Sequence, residues 1–277
     1  MDVRLIGIGG PMNLKPGIND CTNEEYHTDR NYKSSSSLKL FLKDPRTYYK
    51  KYVLKEHDDS GPKAAYDFGS YVHSLILEPE KTEQEFAVFE GLTRRGKAYQ
   101  EFKEQQKDKI IITKSQHQQA MGLMQLYEDC SDAEGLIQNG LPEHTLCVEL
   151  EGMNIKVRTD YIKDGMVIDV KTTSDPVDKY SAAKTIVRFD YDLSAALYLD
   201  AFEKYTGKKH DFIFLFLNKT LGDISVLKAD DSIIENGRRK YKAAIKRLKK
   251  AEETGIYFDN EKMDIVELPG WAEFHDK

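Results

Sequence analysis

The stretch VIDVKTT at residues 167–173 is the feature that most constrains the fold of this chain of 277 residues. Its apolar and β-branched residues predict a buried strand, on which successive side chains point to opposite faces. Asp169 and Lys171 therefore share one face, while Ile168 and Val170 lie on the other. A charged face on a central strand costs free energy unless the charges have a function. The stretch predicts a functional site built into the central sheet.

An Asp-Gly pair directly before this strand separates it from a second alternating run at residues 155–162. Asp-Gly between two such runs is a strong signal for a two-residue hairpin turn. That turn would pair Lys163 with Met166, and counting back along both strands places Asp160 opposite Asp169. Their Cβ atoms would then lie about 4.5–5.5 Å apart, where like charges repel. The register indicates a cation site between the two carboxylates; the alternative is a surface hairpin with solvated acids.

Composition limits the classes of protein to consider. With 40% hydrophobic residues, the chain can bury a core. Charged residues make up 32% of the chain and the net charge is −6, so the chain has no overall basic character. A local basic groove is compatible with these values. Three scattered cysteines exclude a four-cysteine zinc or iron–sulfur site within one chain and fit a reducing compartment. No apolar stretch approaches the ~18 residues of a membrane span, and a signal-peptide layout is absent. We therefore expect a cytoplasmic protein without a membrane partner.

The apolar periodicity along the chain predicts an α/β fold with a mixed central sheet flanked by helices. We expect residues 1–60 to form a leader and a helical cap, and residues 61–277 to form the main domain, the two making one continuous globular unit. Residues 90–109 are highly charged and predict a mobile arm or an exposed helix. The pattern predicts helices at 38–43, after a serine cap, and at 64–77, 114–129, 192–205 and 233–253, and strands at 145–150, 155–162, 166–172, 212–217 and 224–227.

A histidine on the predicted helix 64–77 is a candidate metal ligand. His73 follows Gly69 by one helical turn, and a glycine there permits close approach of the helix to the sheet. Imidazole beside carboxylates suits a divalent ion, whereas a lone histidine on a helix is more often a packed or solvated residue. Glu149 could face the same side as Asp160 and is a further candidate ligand.

Together these motifs resemble the PD-(D/E)XK nuclease superfamily. Most of the chain is similar to its RecE-type branch, exonuclease VIII, which is common in phages and prophages. The resemblance rests on four pieces in order: EYH at 25–27 with SSSLK at 35–39 and DP at 44–45, GSYVHSLILEP at 69–79, RTD at 158–160, and DVKTT at 169–173.

The resemblance implies the site residues and the cofactor. His73, Asp160, Asp169 and the Val170 carbonyl would hold one or two Mg²⁺ or Mn²⁺ ions. Lys171 would complete the catalytic set formed with His73, Asp160 and Asp169; it would orient or deprotonate the attacking water, or stabilise the developing negative charge.

The resemblance also implies an activity and partners. The chain would be an exodeoxyribonuclease that degrades linear double-stranded DNA from 5′ to 3′ and leaves 3′ overhangs for recombination or repair. Its partners would be DNA ends, a single-strand annealing protein, and further copies of the chain in a ring such as a tetramer. The protein would act in the cytoplasm of a bacterial host and be encoded by a phage or prophage.

One motif departs from the pattern. Related RecB-like nucleases carry Q-x-x-x-Y where this chain has Ser194 and Tyr198, and serine lacks the reach of the amide. Two alternatives therefore remain: a RecB-like nuclease acting on single-stranded DNA or endonucleolytically, and a catalytically weak DNA-end-binding protein. Ser194, Tyr198, Arg94 and Arg95 are the candidate DNA contacts.

Two more segments could contact DNA or could only pack. Eight Lys and Arg residues between Arg238 and Lys250 accompany an apolar helical stripe, so they could bind phosphates or form a solvated face. Tyr48, Tyr49 and Tyr52 could stack on a strand end, although packing is the favoured alternative.

Overall fold

A computed structural model of the chain describes residues 14–56, 63–91, 94–163, 165–258 and 267–268. Residues 1–13 of the predicted leader and Asp164 of the predicted turn lie outside the described residues. The strands are β1 (Gly17–Asn19), β2 (Phe86–Phe89), β3 (Ile110–Thr113), β4 (Leu141–Leu150), β5 (Met153–Lys163), β6 (Met166–Thr173), β7 (Asp211–Asn218) and β8 (Asp223–Lys228). The helices are α1 (Asn23–Thr28), α2 (Ser35–Lys43), α3 (Pro45–Tyr48), α4 (Lys63–Leu77), α5 (Pro79–Glu85), α6 (Lys97–Gln105), α7 (Lys114–Asp129), α8 (Ser131–Leu136), α9 (Lys179–Arg188), α10 (Tyr191–Thr206) and α11 (Asp231–Thr254), with a π-helical turn at Tyr49–Val53.

Six strands form one mixed sheet in the order β1-β4-β5-β6-β7-β8. The pair β6–β7 is parallel and the other neighbours are antiparallel. The crossover between β6 and β7 contains α9 and α10, as a parallel connection requires. The predicted mixed sheet with flanking helices is confirmed. A separate parallel pair, β2–β3, was not predicted, because its strands are only four residues long.

Two tight hairpins set the register of the strands that carry the site. Glu151 and Gly152, between β4 and β5, have φ values of +50° and +68°, which fit a type I′ turn. At the next hairpin Lys163 pairs with Met166, as the Asp-Gly signal predicts, and Gly165 has a φ of +75°. Because both turns are short, the pairing of strands β4, β5 and β6 is fixed by local sequence.

Apolar residues cover both faces of the sheet. Helices α2, α10 and α11 pack on one face, where Val167 of β6 is buried. Helices α4 and α7 pack on the other face, where Ile168 and Val170 are buried. Strand β6 is thus central, as its sequence predicts, and the Asp169 side chain belongs to the face covered by α2 and α10.

Capping side chains define the helices near the site. Ser34 caps α2 in a reciprocal capping box with Ser37, and Thr113 caps α7 in the same way with Gln116. The predicted stripe of α11 is buried, including Tyr241 and Leu248. Helix α9 was not predicted, since its few buried positions give a weak apolar pattern.

The N-terminal segment shares the core of the rest of the chain. Strand β1 adds an edge strand to β4, while Leu38 and Phe41 of α2 are buried in the same cluster as α10 and α11. No described helix has the length and apolar character needed to cross a membrane.

Candidate active site

The hairpin of β5 and β6 opens where its charged residues begin. Backbone pairing is regular from Lys163↔Met166 to Tyr161↔Ile168 and stops there. Beyond that last pair, the Val170 amide of β6 donates to Oδ2 of Asp160 in β5, at 2.7 Å. The carboxylate takes the place of a backbone acceptor, so the side chain of Asp160 is held between the two strands.

The ammonium of Lys171 lies among the predicted metal-binding oxygens. Its Nζ is 2.7 Å from Asp169 Oδ2 and 3.6 Å from Asp160 Oδ2, and it donates to the Val170 carbonyl at 3.1 Å. The structure therefore brings together the three charged residues of the predicted motif. In this arrangement the lysine supplies the positive charge that the paired carboxylates require.

Burial and mutual charge set the protonation of this pair. Burial raises the pKa of the Asp169 carboxyl, and the adjacent Lys171 ammonium opposes that increase. Burial alone would lower the pKa of Lys171, but the carboxylates of Asp160 and Asp169 outweigh it and raise the pKa above its ordinary value. Lys171 is therefore a cation at neutral pH.

Helix α4 brings His73 to the same place. Its Nδ1 lies 3.7 Å from Asp160 Oδ2, and its neighbour Val72 is fully buried against the sheet. A Cβ on Gly69 would lie 3.4 Å from Thr172 Oγ1 of β6, an ordinary van der Waals contact, so α4 lies directly against β6. This packing places the imidazole beside the carboxylate, as predicted, but it does not require a glycine at position 69.

A second carboxylate, Glu143, completes this cluster and was not predicted. Ligand atoms of His73, Glu143 and Asp160 lie within 4.8 Å of one another. In β4, Pro142 and His144 pair with β5 on either side of Asp160, while Glu143 between them has a φ of +46°. Such a left-handed conformation is strained for a residue other than glycine and is often found at functional sites.

The alternative candidate Glu149 is wrong. It is exposed and pairs with Asn154 near the β4–β5 turn. Counting back from that turn, where Leu150 pairs with Met153, would have placed Glu143 opposite Asp160. The signal was present in the sequence, but the predicted strand began at residue 145 and left Glu143 out.

The donor set fits a hard divalent cation. Carboxylate oxygens with one imidazole are ligands that Mg²⁺ and Mn²⁺ accept. Asp169 Oδ2 is buried and, despite its 2.7 Å distance from Lys171 Nζ, has no hydrogen bond of suitable angle among the described residues. Burial, and then the Asp160 carboxylate, raise the pKa of Glu143 to about 8. A bound cation would give Asp169 Oδ2 a partner and would offset the negative charge of an ionised Glu143.

The predicted DNA contacts on α10 differ in exposure. Ser194 is 8% exposed, whereas Tyr198 is half-buried and its hydroxyl lies 3.4 Å from Ser35 Oγ of α2. Burial raises the pKa of Tyr198, and the Asp169 carboxylate raises it further.

The arginines predicted to contact DNA lie on the segment before α6. Arg94 donates to the Ile111 carbonyl at 3.0 Å and to Gln116 Oε1 at 2.8 Å, so it anchors this segment to β3 and α7. Arg95 is exposed. Instead of a single arm or helix, residues 90–109 contain the short helix α6.

Several of the other basic and aromatic candidates contact residues of the chain itself. Arg238 and Lys240 of α11 form ion pairs with Asp200 and with Asp190 and Asp192 of α10. Lys242 pairs with Glu151.

Among the tyrosines, Tyr48 is 1% exposed and stacks on Tyr52 at 4.8 Å between ring centroids. Tyr48 is therefore a core residue.

A protein-family model matches most of the chain. Residues 34–266 match the model of a PDDEXK-like domain of unknown function (DUF3799). The chain belongs to this family. The predicted membership of the PD-(D/E)XK superfamily is confirmed, and the chain carries a nuclease domain of that type. Nucleases of this type generally depend on divalent metals, in agreement with the cluster of His73, Glu143 and Asp160.

A solved structure has a similar fold. The crystal structure of a "Putative exonuclease" from Eubacterium rectale is 18% identical, with a TM-score of 0.65, and the match covers 91% of this chain and 96% of that one. At this identity the likeness shows the fold. The structure of SSO0001 is 16% identical over 76% of this chain and 84% of that one, with a TM-score of 0.27, which supports no argument. No curated protein sequence matches the chain significantly.

Proposed function

We propose that this nuclease is a metal-dependent DNA exonuclease that degrades linear double-stranded DNA from 5′ to 3′ and leaves 3′ overhangs for recombination or repair. The proposal depends on one observation: Asp160, Asp169 and Lys171 converge at the open end of one hairpin, with His73 and Glu143 beside Asp160. The RecE-type motifs favour duplex ends as the substrate and the 5′ to 3′ direction.

The residues divide into ligands and a cation. His73, Glu143, Asp160, Asp169 and the Val170 carbonyl, once Lys171 moves off it, would hold Mg²⁺ or Mn²⁺. When bound, such an ion activates water and offsets the charge of the scissile phosphate.

Lys171 stabilises negative charge that develops on the phosphate, because its raised pKa keeps it protonated and unsuited to accept a proton. Asp160 is held by the Val170 amide, so its orientation does not depend on the substrate.

Digestion of linear duplex DNA tests the proposal. Duplexes labelled at the 5′ or the 3′ end are incubated with Mg²⁺, Mn²⁺ or EDTA, alongside an Asp169→Asn control. We expect mononucleotides from the 5′ ends, 3′ labels that stay attached to progressively shorter strands, and no product with EDTA or with Asp169→Asn.

Other outcomes identify the alternatives. Preferential digestion of single strands, or internal cuts in circular DNA, would replace the proposal with a RecB-like activity. Binding of duplex ends without cleavage at any metal concentration would indicate a DNA-end-binding protein that retains the fold.

We further propose that the chain acts in the bacterial cytoplasm as a ring, such as a tetramer, that passes overhangs to a single-strand annealing protein. A ring keeps the duplex captured between cuts, whereas a monomer releases it. Light scattering measures the mass, and excess unlabelled DNA added during digestion measures processivity. A monomer whose digestion stops at once would contradict the ring and leave the nuclease chemistry intact.

A further inference from the structure

A second lysine, Lys39 of α2, lies beside the site. It is the last residue of the SSSLK piece at 35–39, but the sequence predicted no functional role for it. Its Nζ lies 5.3 Å from the centroid of the Tyr191 ring, and Lys171 Nζ lies 5.4 Å from the same centroid. The ring of one tyrosine at the start of α10 therefore contacts two ammonium groups. Helix α2 holds this position firmly, because the neighbouring Leu38 is completely buried.

The ammonium of Lys39 has no anionic partner in the part of the chain that the structure describes. Among the described residues it makes no hydrogen bond and no carboxylate oxygen lies within 4.0 Å. The acids whose charges reach it are engaged elsewhere: Asp169 pairs with Lys171 at 2.7 Å, while Asp190 and Asp192 pair with Lys240 at 2.6 and 3.0 Å.

An ammonium group that loses water without gaining a partner is destabilising. Burial lowers the pKa of Lys39; the charge of Asp169 opposes this decrease and the repulsion from Lys171 supports it, which together bring the pKa to about 8. Both effects would be offset by an anion near the two lysines. A phosphate oxygen is such a partner, since the lysine offers three donors on a flexible stem.

We propose that Lys39 binds a backbone phosphate of the DNA strand, next to the phosphate held at Asp160, Asp169 and Lys171. This assignment rests on the proposed nuclease function and adds a substrate contact to it. The alternative is a structural role, in which Lys39 only supports the Tyr191 ring through the cation–π contact.

The salt dependence of DNA binding separates these two roles. Each phosphate contact contributes about 0.7 (single strand) to 0.9 (duplex) to the slope of log affinity against log salt concentration. Affinity for a short labelled duplex is measured with Ca²⁺ in place of Mg²⁺, to follow binding apart from cleavage. Lys39→Met keeps the length of the apolar stem and removes the charge. Lys43→Met, on the exposed last turn of the same helix, is the matched control.

We expect Lys39→Met to bind about tenfold more weakly and to lose about 0.7–0.9 of the slope. Lys39→Arg should retain the slope, and Lys43→Met should match the wild type. A melting curve without DNA tests whether each variant folds. If Lys39→Met does not fold, Lys39→Gln takes its place.

Three results would overturn the assignment. A folded Lys39→Met with wild-type affinity and slope would leave Lys39 a structural role. An equal loss in Lys43→Met would mean that α2 attracts DNA only through its general charge. If the wild-type chain neither binds nor cleaves DNA, the proposed function fails and the assignment fails with it. In the first two cases the wild type still cleaves DNA, so the two failures are distinguishable.

Discussion

The Val170 amide donates to the Asp160 carboxylate across the open end of the β5–β6 hairpin, at 2.7 Å. This bond replaces the next rung of the backbone ladder, which ends at Tyr161↔Ile168. One side chain thus has two roles: it joins the strands, and it presents its charge to His73 and Lys171.

These two roles of Asp160 can be separated by two substitutions. Asp160→Asn keeps an oxygen that can accept from Val170, whereas Asp160→Ala leaves that amide without its partner. We expect both variants to lose at least about 10²-fold in cleavage rate, since a ligand charge is lost. Only the alanine variant should lose a further ~1–3 kcal/mol of unfolding free energy, measured by urea denaturation in EDTA. Equal stabilities would mean that the bond to Val170 does not hold the hairpin.

Replacing Lys171 should affect both activity and stability. Lys171→Met leaves the buried Asp169 carboxylate beside Asp160 without a counter-charge. We expect cleavage to fall by at least about 10²-fold, and the unfolding free energy in EDTA to fall by ~1–3 kcal/mol, a range reduced for the partial exposure of the lysine. Mg²⁺ should restore more of this stability than it adds to the wild type. Lys163→Met, at the end of β5, is the control and should cleave normally.

Glu143 should contribute to metal affinity and Glu149 should not. We expect Glu143→Gln to reduce the increase in melting temperature produced by millimolar Mg²⁺ or Mn²⁺, because one carboxylate of the cluster is lost. Glu149→Gln should give the wild-type increase, since that residue is exposed and lies near the β4–β5 turn. The opposite pattern in a calorimetric scan would show that the cluster around Asp160 is not the metal site.

The raised pKa of Glu143 predicts how stability depends on pH. The folded chain holds this proton up to a pH of about 8, because burial and then Asp160 disfavour the carboxylate. The unfolded chain releases the proton at the ordinary, lower pKa of glutamate. The contribution to stability is therefore fully present below the ordinary pKa of glutamate and is lost as the pH rises from there to about 8.

Thermal melting at several pH values, without metal, measures this loss. Glu143→Gln resembles the protonated residue, so it should melt close to the wild type at about pH 4 and increasingly above it towards pH 9. Since metal binding expels the proton, the Mg²⁺-dependent increase in melting temperature of the wild type should grow between those values. A variant that melts below the wild type at pH 9 would disprove the burial of this charge.

Much of the fold followed from local sequence. The alternation of residues 167–173 placed Asp169 and Lys171 on one face, and the short turn fixed Lys163 opposite Met166. These features depend on backbone geometry within a few residues, which sequence patterns record directly. The helix α7 and the buried stripe of α11 were predicted for the same reason.

Only the tertiary structure decided which charges meet. Glu143 reaches Asp160 through a strained backbone inside a strand, and Lys39 reaches the Tyr191 ring from a helix more than 100 residues away in sequence. Counting from the β4–β5 turn places Glu143 opposite Asp160, but no turn signal records the strained backbone at Glu143. The contact of Lys39 leaves neither a periodic nor a turn signal, because it depends on how separate elements pack. The sequence determined the strand that carries the acids and the lysine, and the packing of α2, α4 and β4 around that strand determined what surrounds them.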